Sequence, residues 1–263
     1  MVCSAEIVFG GHVDRIWVRF LSFILCGALV GCASFKPDST LPLSVVPSPN
    51  ADERRPSLVV IHYTSNDDAA HSLNTLTSPE RRVSAHYLIS REGALYQMVP
   101  ESRRAWHAGQ AYWAGITDVN SASIGIELDN NGTEPYDEAQ LATLQALLQD
   151  LRVRYRIPAA NFVGHSDVAP GRKIDPGAYF PWQQLAASGF GLWCTSAAET
   201  TEPVPISMPV MLTLLGYDPR LPDASREAFR LHYLSDGHGG LSDDDALAQR
   251  MAYCLLKQKT GQE

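Results

Sequence analysis

The chain is short of the features that mark several common protein classes. It has five cysteines in 263 residues, Cys3, Cys26, Cys32, Cys194 and Cys254, and no two of them form a CxxC pair. That spacing excludes a structural zinc ribbon. There is no Lys/Arg run, and the formal net charge is −8, so the basic face of a nucleic-acid binder is missing. The longest apolar run near the start, residues 20–30, is too short and ends too abruptly to span a bilayer comfortably. What is present is ordinary: hydrophobic residues make up 45% and charged residues 19%, a globular rather than a disordered composition. The acidic balance fits solubility and says nothing about a substrate.

That short apolar run has an address-like form. Arg15 and Arg19 precede it, as in a secretory signal. It closes on Leu29-Val30-Gly31-Cys32, which looks like the lipobox of bacterial lipoproteins. In such proteins the leader is cut before the cysteine and lipid is attached to its thiol. Residues 1–31 are therefore expected to be a signal peptide and Cys32 a lipidation site, with several acyl chains giving a stable membrane anchor. The competing reading is a core helix in which Cys32 merely packs. Ala33, a non-Asp residue after the cysteine, resembles the sorting signal for the periplasmic side of the outer membrane. Residues 32–56 are rich in Pro and Ser with little periodicity and read as a flexible tether.

The main domain is expected over residues 57–193. Leu58-Val59-Val60-Ile61 is a β-branched run of the kind found in buried strands, and His62 ends it. Leu73 and Leu76 stand at helical spacing within residues 67–77. Residues 85–89 and 94–99 flank Arg91-Glu92-Gly93 and predict a β-hairpin. Residues 123–128 predict another strand, and residues 161–164 a last short one. Leu141, Leu144, Leu148, Leu151 and Tyr155 share one face of a helix over 137–155, which Pro158 stops. Strands alternating with helices argue for an α/β domain.

Unusual polar residues stand at the strand ends: His62, Glu127 within Ile124-Gly125-Ile126-Glu127-Leu128, and His165 and Asp175. A lone histidine at a strand end is more often structural than catalytic. A carboxylate in an otherwise apolar strand is costly unless it is paired or working. Together these residues match the donor set of a mononuclear catalytic zinc site, with three His or Asp/Glu ligands and one open position. His62, His165 and Asp175 would supply the ligands of one Zn2+, and Glu127 would be free as general base.

Six blocks in order carry a resemblance to the type 2 N-acetylmuramoyl-L-alanine amidases, over about residues 57–193. They are Ile61-His62-Tyr63-Thr64, Ser84-Ala85-His86-Tyr87-Leu88-Ile89, Ala105-Trp106-His107-Ala108-Gly109, Ser123-Ile124-Gly125-Ile126-Glu127, Val163-Gly164-His165-Ser166-Asp167 and Arg172-Lys173-Ile174-Asp175-Pro176-Gly177. The lipobox, Phe180-Pro181-Trp182 and the C-terminal extension liken the chain to an outer-membrane lipoprotein branch. The resemblance implies a central mixed β-sheet flanked by helices. It implies zinc on His62, His165 and Asp175, Glu127 as catalytic base, and Lys173 as the cation that stabilises the developing oxyanion. The substrate implied is peptidoglycan, cut between muramic acid and L-alanine, with the choice of intact or anhydro sugar left open. Tyr87, Trp106 and His107 are candidate substrate-binding residues, or else they only frame the pocket. His71, His232 and His238 match no motif and read as surface histidines.

Pro203 and Pro205 mark a linker, and residues 204–260 read as a small three-helix domain. Ser207 is expected to cap the first helix, the second covers residues 224–233, and Ser242 with Asp245 suggests a capping box for the third. Leu214-Leu215-Gly216-Tyr217 and Ala228-Phe229-Arg230-Leu231-His232-Tyr233 resemble a peptidoglycan-binding module, against the plainer reading of a packed appendage. Cys194 and Cys254 would be available for a disulfide in an oxidising compartment, but spacing cannot show that they meet. Two other functions compete: a non-catalytic peptidoglycan receptor on the same fold, and a zinc peptidase cutting within the stem peptide.

Overall fold

Apolar side chains fill every position from Leu58 to Ile61, and the strand they form, β1 (Leu58–Tyr63), is buried on both faces, as a strand inside a parallel sheet must be. The computed structural model describes residues 41–44, 50, 53–66, 68–198 and 203–261. The expected leader, Cys32 and most of the expected tether lie outside these residues. The other strands are β2 (Tyr87–Ile89), β3 (Leu95–Gln97), β4 (Ser123–Leu128) and β5 (Phe162–Gly164). The helices are α1 (Ala69–Thr77), α2 (Val119–Ala122), α3 (Glu138–Tyr155), α4 (His165–Val168), α5 (Trp182–Ala187), α6 (Met208–Leu215), α7 (Pro222–Tyr233) and α8 (Asp245–Thr260).

The sheet order is β3-β2-β4-β1-β5. β1 runs parallel to β4 and β5, β2 runs parallel to β4, and β3 returns antiparallel to β2. The sheet is therefore mixed, as expected. The β2–β3 turn needs Gly93: its φ is +84°, and an added Cβ would stand 2.7 Å from the Ala139 carbonyl oxygen.

One face of the sheet presents Val59, Ile61, Ile124, Ile126 and Phe162 to Leu144, Leu148 and Leu151 of α3. Those three leucines are wholly buried, each contributing about 1.5–3 kcal/mol of burial. α3 ends where Arg156 takes a left-handed conformation, φ 57°, and Pro158 bars continuation. Gln140 is buried on the inner side of α3. Its amide donates to the carbonyls of Ile89 and Asp129, at 3.0 and 3.1 Å, at the ends of β2 and β4.

The opposite face presents Leu58, Val60 and Val163, and here the C-terminal helices supply the cover. Met211 of α6, Phe229 of α7 and Leu255 of α8 belong to the same hydrophobic core as these strand residues. Residues 53–263 form one compact unit, in which the C-terminal helices share a core with the sheet. A parallel sheet has two apolar faces and α3 covers only one, so a second layer is required. Cys194 and Cys254 are joined in a disulfide that ties the segment after α5 to α8.

Three local details differ from the sequence reading. α8 is capped by Asp244, whose carboxylate accepts from the amides of Ala246 and Leu247 at 2.8 and 3.0 Å, not by Ser242. The tether ends before residue 56: Pro56 is buried, and the Arg54 guanidinium donates to the Ser121 carbonyl at 2.7 Å. His232 is not a surface residue. It is 2% exposed and stacks between Trp182 and Tyr233, with ring centroids 3.7 and 3.9 Å away. His71 and His238 are exposed, as read.

Candidate metal centre

The parallel strands deliver their polar residues to one rim. His62 stands in register with Glu127 on the neighbouring strand. Ile61 pairs with Gly164, so His165, opening α4 directly after β5, arrives beside His62. Asp175 follows the loop after α4, and its carbonyl accepts from the Ser166 amide at 2.9 Å, pinning that loop to the turn. This is the carboxyl end of a parallel sheet, where open α/β folds place their ligands.

Three donor atoms meet there. His62 Nδ1 lies 2.9 Å from His165 Nδ1, and each lies 3.0 Å from Asp175 Oδ2. All three residues are buried. A tetrahedral ion with bonds of about 2.0 Å would space its ligands roughly 3.3 Å apart, close to this triangle. His165 Nε2 donates to the Ala108 carbonyl at 3.1 Å, which turns Nδ1 toward the triangle. Burial, reinforced by His165, pushes the His62 pKa down to about 4. For Asp175, burial works against the charge, but the two imidazoles outweigh it and hold the carboxyl below the usual carboxylate range. Two imidazole nitrogens and one carboxylate oxygen, converging on one point, are donors of the kind a catalytic zinc ion takes.

A cavity of about 510 Å³ opens onto this triangle. Glu127 and Lys173 line it, together with Trp106 and Ile174. Burial pushes the Glu127 carboxyl well above its ordinary range; the Asp175 charge adds to the rise and Lys173 opposes it. Among the described residues, Glu127 Oε2 is buried without a hydrogen-bond partner. Trp106 is 49% and Ile174 66% exposed, so they bring apolar surface to the mouth of the cavity beside the exposed Arg172 and Lys173.

Two expected substrate-binding residues are placed differently. Tyr87 does not line the cavity. It pairs with Ile126, not Glu127, so strand alternation turns it to the α3 face, where its hydroxyl donates to Glu101 at 2.5 Å. His107 does border the cavity but is 9% exposed. Its two ring nitrogens face His62 Nε2 and Ser123 Oγ, each at 3.0 Å, which leaves no polar atom for a substrate.

Residues 52–178 match the Amidase_2 family, described as N-acetylmuramoyl-L-alanine amidase. The N-acetylmuramoyl-L-alanine amidase AmiD of Escherichia coli K12 is 38% identical over 240 residues, covering 80% of this chain and 85% of AmiD. The chain belongs to the N-acetylmuramoyl-L-alanine amidase family. The structure of E. coli AmiD with the substrate anhydro-N-acetylmuramic acid-L-Ala-D-gamma-Glu-L-Lys superposes with a TM-score of 0.67, at 37% identity, over 82% of this chain and 94% of that one. AMPDH3 from Pseudomonas aeruginosa gives a TM-score of 0.69 at 28% identity, over 85% and 99%.

Around this amidase's donor triangle, the sequence reading missed Asn120 and Ser123, whose side chains hold His107, and it gave Gly125 no role. Gly125 carried the available signal. A glycine inside an otherwise apolar strand marks a close approach, and here an added Cβ would stand 2.4 Å from the His107 ring.

Proposed function

We propose that this amidase is zinc-dependent and hydrolyses the amide between N-acetylmuramic acid, in its ordinary or anhydro form, and the L-alanine of a peptidoglycan stem peptide. The convergence of His62, His165 and Asp175 on one point, with Glu127 in the same cavity, is the observation that carries this reading. E. coli AmiD binds the anhydro form of such a substrate in its complex, which supports the reading.

Zinc bound by the three residues would supply Lewis acidity, polarising the amide carbonyl and bringing the pKa of water toward ~7. Glu127 takes the proton of the attacking water. Among the described residues its Oε2 has no hydrogen-bond partner, and a cation held in the triangle would oppose the rise that burial imposes on it. Lys173, on the cavity wall, places positive charge near the oxygen on which negative charge develops, and solvent screening at this exposed residue weakens the effect. Glu127 then passes its proton to the leaving amine of L-alanine. Trp106 and Ile174 offer apolar surface at the mouth for a sugar face and the lactyl and alanyl methyls.

The complete ligand triangle and Glu127 weigh against the receptor reading, which needs neither. The cellular address is part of the same proposal: lipid on Cys32 anchors the enzyme to the periplasmic side of the outer membrane. The Cys194–Cys254 disulfide supports an oxidising compartment.

The test is digestion of purified peptidoglycan by the chain from Ala33 onward, with and without a zinc chelator. Stem peptides beginning at L-alanine, lost on chelation and regained with zinc, are expected. Unchanged peptidoglycan despite bound zinc would establish the receptor instead, and shortened peptides the peptidase.

A further inference from the structure

We propose that His107 and Ser123 are positioning residues that set the tautomer of His62, so that its Nδ1 is always a lone pair aimed at the metal. The inference rests on the reading of His62 as a zinc ligand. It follows from tracing protons along one buried chain. Ser123 Oγ lies 2.6 Å from the Val119 carbonyl, and only the hydroxyl can supply the proton between those two oxygens. Its single proton being spent, Ser123 Oγ is an acceptor toward His107 Nε2, 3.0 Å away. His107 therefore carries its proton on Nε2, and its Nδ1 is bare.

Bare His107 Nδ1 lies 3.0 Å from His62 Nε2. The proton between them must belong to His62 Nε2, which leaves His62 Nδ1 unprotonated at the triangle. His165 reaches the same state by a different route, through the Ala108 carbonyl. Both imidazoles thus present Nδ1 to the triangle.

The chain is built into the fold. Asn120 Oδ1 accepts from the amides of His107 and Ala108, at 3.1 and 2.8 Å. It thereby fixes the backbone of the segment that holds both second partners, His107 and the Ala108 carbonyl. The absent side chain of Gly125 makes room for the His107 ring against β4. Ser123 is the first residue of β4 and Glu127 the fifth, so one strand carries both the end of the proton chain and the proposed base.

Ser123→Ala removes the acceptor for His107 Nε2–H with little change in volume. His107 is then free to move its proton to Nδ1, which forces His62 into the Nδ1–H form that blocks the metal position. The experiment measures zinc affinity of the full chain by competition with a chromogenic chelator, alongside 15N NMR of histidine in the zinc-loaded protein. Wild type should show protonated Nε2 on both His62 and His107. Ser123→Ala and His107→Leu should weaken zinc binding about 10–100-fold, the usual cost of losing a partner behind a metal-bound histidine. His107→Asn, whose Oδ1 can take the place of Nδ1, should recover most of the affinity. Leu148→Ala, a core change on the far face of the sheet, controls for lost stability and should leave zinc affinity unmoved. Wild-type affinity in Ser123→Ala and His107→Leu, with wild type and both variants binding zinc, overturns this proposal and leaves the metal site standing. A wild-type chain that binds no zinc overturns the metal reading itself.

Discussion

His232 Nδ1 lies 2.7 Å from Asp167 Oδ2, joining α7 to the turn that carries His165. Asp167 is wholly buried. Its other partners are the Gly164 amide and the Tyr217 hydroxyl, each at 2.7 Å. Two of the three groups that satisfy this carboxylate thus come from the C-terminal region, which makes that region part of the amidase's frame. A buried carboxylate that loses a donor keeps its desolvation cost, so Tyr217→Phe should destabilise the protein by about 1.5–3 kcal/mol. Denaturant titration checks this; a midpoint equal to wild type would show that the clamp contributes nothing.

Glu127→Gln keeps shape and removes the basic oxygen. Zinc content should stay at wild type while turnover falls about 10²–10⁴-fold, the usual weight of a general base. Metal analysis and peptide release, measured on the same preparation, separate the two roles. Wild-type turnover in this variant removes Glu127 from the mechanism.

Glu101 should govern part of the acid stability. Burial pushes its carboxyl up, but hydrogen bonds from Arg154, Tyr155 and Tyr87 outweigh that and bring it down to about 2. The folded pKa lies below the unfolded value of about 4.3, so folding favours the ionised form. Its contribution is complete above the unfolded pKa and is lost as pH falls toward the folded one. Glu101→Gln should cost about 1–2 kcal/mol near neutral pH, a figure kept low because Arg154 is 40% exposed. The gap between variant and wild type should narrow between pH 5 and 3, by ~1 kcal/mol or more. Parallel urea curves at the two pH values test it, and a constant gap would count against the assignment.

The disulfide between Cys194 and Cys254 closes a loop across 60 positions of sequence. Cys254→Ser should lower stability by about 2–4 kcal/mol through the freedom restored to the unfolded chain. Because the bond lies away from the cavity, zinc affinity should not change. Thermal unfolding with and without reductant gives the first number, and chelator competition gives the second.

Much of this was legible in the linear chain. The β-branched run at Leu58 to Ile61, the leucine face of α3 and the hairpin around Gly93 are local patterns, set by side-chain period and by one residue that must take a positive φ. His62, Glu127 and His165 could be singled out because polar groups in or beside apolar strands are expensive without a task, and Asp175 because it completes their donor set. Tyr87 was misjudged because it belongs to the same short block as His86. Adjacent strand residues point to opposite faces, and which face meets the metal depends on pairing partners distant in sequence.

The sequence by itself determined the elements, the donor types and the chemistry those donors permit, since helical and strand periods and ligand affinities are properties of the residues themselves. Only the tertiary structure decided that the C-terminal helices complete the core, that Cys194 meets Cys254, that His232 lies buried against Asp167, and that His107 stands behind His62. Each of these depends on two segments far apart in the chain reaching one point in space. Which segments meet is settled by packing both faces of the sheet, and no local pattern records it.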